Sequence, residues 1–88
     1  MATYLDLYAA VKRGIRYAPD LAIELYYPQE AVDVATLAMK NAGLLQFVTL
    51  EGRGTRIEVQ AGAADEASAV KKAKAAGFDL EAEIPGSS

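Results

Sequence analysis

Apolar and polar positions along the chain fall into two alternating periods. Over residues 3–13, TYLDLYAAVKR, the apolar residues Tyr4, Leu7, Tyr8 and Val11 recur at helical spacing, and Ile15 continues the stripe. Thr3 fits an N-cap. Gly14 weakens the pattern and Pro19 closes the region. A strand over Tyr4–Tyr8 competes with this reading, but the pattern outruns one short strand, so a helix is predicted. Residues 20–27, DLAIELYY, alternate instead. Leu21, Ile23, Leu25 and Tyr27 would face one side, and Asp20, Ala22, Glu24 and Tyr26 the other, which predicts a half-buried strand. Pro28 then opens the helix PQEAVDVATLAMKNAG. Glu30 and Asp33 lie near its positive end, Lys40 in its last turn and Gly43 just past it. Its predicted core side is Ala31, Val34, Ala35, Leu37, Ala38 and Ala42.

Residues 44–51, LLQFVTLE, and 55–61, TRIEVQA, read as the second and third strands, with Ile57 and Val59 inward. Gly52-Arg53-Gly54 joins them as a hairpin. AADEASAVKKAKAAG reads as a further helix. Asp65 and Glu66 stand at its start, Lys71, Lys72 and Lys74 near its end, and Gly77 stops it. Its small predicted core side is Ala69, Val70, Ala73 and Ala76. FDLEAEI alternates again, with Phe78, Leu80, Ala82 and Ile84 inward. The chain therefore divides into a basic amphipathic helix and linker at 1–19, an α+β domain at 20–84 and a disordered tail at 85–88. The order βαββαβ predicts a four-stranded antiparallel sheet with two helices on one face.

Composition narrows the chemistry. The chain has 88 residues, 52% of them hydrophobic, and contains no Cys, His or Trp. Thiol and imidazole catalysis and the usual zinc sites are excluded. No carboxylate cluster in a turn-rich loop suggests a magnesium or calcium site, so neither metal nor cofactor is expected, and no catalytic residue is assigned. Apolar runs are far shorter than the ~18 residues of a membrane span. The start MATYLDLYAA lacks the early positive charge of a signal peptide, so the cytoplasm is the expected location.

Charge is unevenly distributed. Residues 1–19 carry Lys12, Arg13 and Arg16 against Asp6, whereas residues 20–88 hold six bases against eleven acids. On the predicted sheet, Asp79, Glu81, Glu83, Glu24 and Glu58 would face outward with Arg56, and Tyr26 would be the outward aromatic. The N-terminal helix is expected to dock on that face, in its own chain or in a partner. Its apolar stripe, including Tyr4 and Tyr8, would carry the docking, because rim ion pairs contribute only ~0–1 kcal/mol each.

Three other chemistries have partial support in the sequence. Gly52-Arg53-Gly54 could nest an anion, but a hairpin turn using the glycines for positive φ is the simpler reading. Tyr26, Tyr27 and Phe47 suggest base stacking, yet TRIEVQ has no aromatic and the acidic face repels phosphate, so nucleic acid is not expected as a partner. Glu24, Glu58, Glu81 and Glu83 could perform acid–base work on the sheet face together with Tyr residues.

Over about residues 20–84, the element order and alternating strands resemble ferredoxin-like folds and, more loosely, ACT-type regulatory domains. That resemblance implies pairing through sheets or helices and effector binding at a subunit interface. Acylphosphatase-type catalysis on such an architecture uses an arginine after the first strand, and YYPQE has none. The expected function is a non-catalytic protein-interaction or regulatory module, homodimeric, acting through the N-terminal helix and the sheet face or the hairpin near Arg53. The alternatives are an ACT-like small-ligand sensor and a small enzyme using the sheet-face carboxylates.

Overall fold

The computed structural model describes residues 2–52 and 54–86. The elements run α1 (Tyr4–Lys12), α2 (Ala18–Leu25), α3 (Gln29–Asn41), β1 (Leu45–Leu50), β2 (Gly54–Val59), a 3₁₀ turn (Ala61–Ala63) and α4 (Glu66–Ala75). Among the described residues the sheet is a single antiparallel hairpin, β1 on β2, in which Leu45 pairs with Val59 and Phe47 with Ile57. Gly52 and Gly54 flank its tip with φ of 74° and 80°, which suits glycine. Arg53 lies outside the described residues.

This architecture overturns the four-stranded ferredoxin-like sandwich. Two of the predicted strands are something else. The DLAIEL of DLAIELYY belongs to α2, whose first turn holds Pro19 and Asp20 and whose N-cap is Tyr17, while Tyr26 and Tyr27 follow the helix. Proline suits a first turn because its missing N–H would be unpaired there, and aspartate favours the positive end. Leu21 and Leu25 are four residues apart and so share a helix face as readily as a strand face. Ile23, predicted inward, is exposed. FDLEAEI is not a strand either. Among the described residues its one bridge is Glu83 with Thr3.

The backbone of that last segment is used elsewhere. Its carbonyls cap α1: Tyr4 N–H donates to Ala82 O at 3.1 Å, and Leu5 N–H to Leu80 O at 2.8 Å. Thr3 Oγ accepts from Asp6 N–H, and Asp6 Oδ2 accepts from Thr3 N–H, which closes a capping box. The first N–H groups of α1 are thus paired, two by its own cap and two by the far end of the chain.

One core runs through all the elements. Leu7, Tyr8 and Val11 of α1 are buried with Leu21, Val32, Met39, Leu44, Leu45, Ile57, Leu80 and Ile84. Burying a large apolar side chain stabilises by roughly 1.5–3 kcal/mol. The Tyr27 hydroxyl, buried, donates to Ile84 O at 3.0 Å and accepts from Ala2 N–H at 3.3 Å, tying both chain ends to the start of α3. Pro85 and Gly86 form a turn, with Gly86 close against Ala31, while Ser87 and Ser88 of the expected tail lie outside the described residues.

Helix faces differ in phase from expectation. α3 buries Val32, Ala35, Thr36 and Met39, leaving Val34 and Leu37 outward. The buried Thr36 hydroxyl donates to Asp33 O at 3.0 Å, which satisfies it. α4 buries Ala69 and Ala73, while Val70 and Ala76 are exposed. Lys72 is half-buried; its ammonium donates to Gly43 O at 3.2 Å, a cation at the negative end of α3.

Candidate functional site

The four α-helices of the described residues end in the same way. After α1, Ile15 N–H donates to Ala10 O and Gly14 N–H to Val11 O. Leu44 and Gly43 repeat the pair after α3, on Met39 and Lys40, and Phe78 and Gly77 repeat it after α4, on Ala73 and Lys74. These are Schellman closures, which place one residue in the left-handed region. Glycine fills that place three times, at Gly14, Gly43 and Gly77, with φ of 110°, 84° and 71°. After α2 the bonds are Tyr27 N–H to Ala22 O and Tyr26 N–H to Ile23 O, and the left-handed residue is Tyr26.

Tyr26 has φ 56° and ψ 44°, the sole positive φ among the described non-glycine residues. A side chain there costs on the order of 1–2 kcal/mol over glycine. Its ring offsets none of this by packing, since the residue is 93% exposed. The closure itself is structural, because it turns Tyr27 into the core and lets Pro28 lead into α3. The identity of the residue at its corner is not explained by the fold.

Other large apolar side chains are exposed near it in sequence: Ile23 (75%) on α2, and Val34 (66%) and Leu37 (49%) on α3. Val34 and Leu37 are one turn apart on the same face of α3. Each borders an open groove. One, about 310 Å³, is lined by Val34 with Pro28, Glu30, Ala31 and Pro85. The other, about 290 Å³, is lined by Leu37 with Ala18, Asp33, Phe47 and Ile57. No ion pair among the described residues involves Glu30 or Asp33.

The residues singled out from the sequence separate into groups. Arg13 pairs with Glu24 at 3.1 Å, and Arg16 and Arg56 share Glu58 at 3.0 and 3.2 Å. Arg56 Nε is buried with no acceptor among the described residues. The Arg16 carbonyl also accepts Ile57 N–H at 2.7 Å, joining the end of α1 to β2. Lys12 lies over the Tyr8 ring, 6.0 Å from its centroid. Tyr4 is half-buried, edge-on to Phe78 at 4.7 Å. Glu83 sits beside Thr3 at the opposite end of α1 from Glu24 and Glu58. The four glutamates of the acid–base alternative are therefore not one site, and the described residues form no four-stranded sheet face to hold them. Glu81 lines a different cleft, about 460 Å³, with Leu5, Val70 and Phe78.

Tyr8, like Tyr27, is a buried tyrosine of the core. Its hydroxyl donates to Ala63 O at 2.6 Å. Desolvation raises its pKa above the ordinary value, and the charges of Asp65 and Glu66 add to the rise. That holds it as a neutral donor, which suits a structural role. Among the described residues no group of three or more acidic side chains is arranged to hold a metal ion, and no helix is long and apolar enough to cross a membrane.

Comparison with protein-family models, with curated proteins and with solved structures finds no match. The sequence missed Ile23, Val34 and Leu37 as surface residues, having placed all three inward. The signal for α2 was available in Pro19-Asp20, a helix start, but was overridden by the alternation that followed.

Proposed function

We propose that this chain is a non-catalytic protein-interaction or regulatory module whose contact surface is the outward side of α2 and α3. The observation that carries this is Tyr26. A left-handed corner that glycine fills after the other three helices holds a large aromatic, fully presented to solvent. Strain retained at an exposed side chain points to a use outside the fold. Tyrosine is also among the side chains enriched at the centres of protein interfaces, since it offers a large contact area with few torsions to immobilise. Ile23, Val34 and Leu37 add apolar area, and the grooves beside Val34 and Leu37 offer recesses for side chains.

The test is Tyr26→Gly, compared with wild type by size exclusion of native extract. The variant keeps its fold and elutes as monomer, whereas wild type elutes at a larger size. Identical elution of the two, at any size, would refute the contact role of Tyr26.

A further inference from the structure

We infer that the occupant of the α3 face is a second copy of this chain, related by a two-fold axis that passes between the two α3 helices, level with the midpoint of Val34 and Leu37. The inference rests on the contact surface just proposed and names its partner.

The outward face of α3 is self-complementary, its row Glu30, Val34, Leu37 and Asn41 being flanked in the last turn by Lys40. Glu30 stands in its first turn, Lys40 in its last, and Val34 and Leu37 lie between them. An antiparallel mate whose axis passes midway between positions 34 and 37 sets Val34 of one copy opposite Leu37 of the other. Position 30 then faces position 41 of the mate, one residue from Lys40. Both charged ends therefore meet opposite charge, twice, as an isologous contact requires. The helix dipoles oppose each other favourably in the same arrangement.

The recesses follow the same symmetry. Leu37 of the mate arrives at the groove bordered by Val34, Ala31 and Pro28, whose lining also includes Glu30. Val34 of the mate arrives at the groove bordered by Leu37, Ala18 and Phe47. Lys40 is exposed in the single chain, with its ammonium 5.8 Å from the Phe47 ring centroid, so it can reach across. Tyr26 precedes α3 at the end to which the mate brings Lys40. A parallel arrangement would instead place Glu30 beside Glu30.

One helix face is smaller than the ~800 Å² per partner of a standard stable interface. The association is accordingly weak and dilution-dependent.

Charge reversal tests the axis. Glu30→Lys and Lys40→Glu are made separately and studied by sedimentation across a dilution series, with circular dichroism confirming the fold. Each single variant places like charges together at both ends of the contact, so its self-association weakens roughly tenfold. An equimolar mixture of the two variants restores opposite charges at both ends and recovers dimer. A wild-type chain that stays monomeric throughout, single variants that associate like wild type, or a mixture no better than its components would each overturn the inference. A purified wild-type monomer that is still larger in native extract, with the increase lost in Tyr26→Gly, would overturn the second copy alone and leave the contact surface standing.

Discussion

Tyr26 closes α2 by the same pair of backbone bonds with which Gly14 closes α1. The two corners differ in the side chain that must be held at positive φ. Replacing Tyr26 by glycine relieves about 1 kcal/mol of strain and removes no packed surface. Replacing it by alanine removes the ring and keeps most of the strain. Tyr26→Gly is therefore expected to melt several degrees above Tyr26→Ala, at about 4–8 °C per kcal/mol for a domain of this size. Thermal unfolding followed by circular dichroism checks the order.

The Tyr27 hydroxyl joins residues that are far apart in the chain, Ala2 and Ile84. Tyr27→Phe keeps the ring and leaves buried polar groups short of a partner. The expected loss is about 1–3 kcal/mol, measured by denaturant unfolding. Tyr26→Phe, at an exposed ring, is the control and should change stability by less than about 0.5 kcal/mol.

Tyr8 gives a pH dependence with a definite sign. Its folded pKa is raised above 10.0, so the folded chain retains the proton that the unfolded chain loses first. The stability due to this group is full below pH 10.0 and is lost as pH rises through the higher folded value. Wild type should exceed Tyr8→Phe in unfolding free energy near neutrality, by about 1 kcal/mol for the hydrogen bond to Ala63. Unfolding titrations above pH 10.0 should show that advantage shrinking.

Arg16, Glu58 and Arg56 form one partly buried cluster in which a single carboxylate serves two guanidinium groups. Glu58→Gln leaves both arginines without a countercharge, and should destabilise more than Arg16→Ala does. In a double-mutant cycle, the Arg16–Glu58 coupling should be about 0.5–1 kcal/mol and should fall with added salt.

Much of the fold was legible where one period had one interpretation. The repeat at Tyr4, Leu7, Tyr8 and Val11 identified α1, and the glycines at 52 and 54 marked the hairpin. DLAIELYY was not legible by alternation, because Leu21 and Leu25 satisfy both periods. FDLEAEI alternates, yet its carbonyls cap α1, a long-range pairing that no local pattern reports. On α3 apolar residues fall almost all round the helix, so spacing alone could not choose between Val34 and Val32 as the buried one. The charge imbalance was informative only in part. It predicted a basic helix docked on an acidic open sheet face, and that face is absent among the described residues; Arg13 and Arg16, which follow α1, pair instead with Glu24 of α2 and Glu58 of β2.

The outward pair on α3 decides whether exposed apolar surface on this chain serves association. Val34→Ser with Leu37→Ser tests it by sedimentation of the purified chain across a dilution series, next to wild type, with thermal melts of both. Wild type should rise toward twice the monomer mass as concentration increases. The double variant should remain monomeric and melt within about 4–8 °C of wild type at low concentration, because both side chains are largely exposed and each costs about 0.5 kcal/mol or less. Equal masses for the two chains at every concentration, or a variant that loses its fold, would contradict the account.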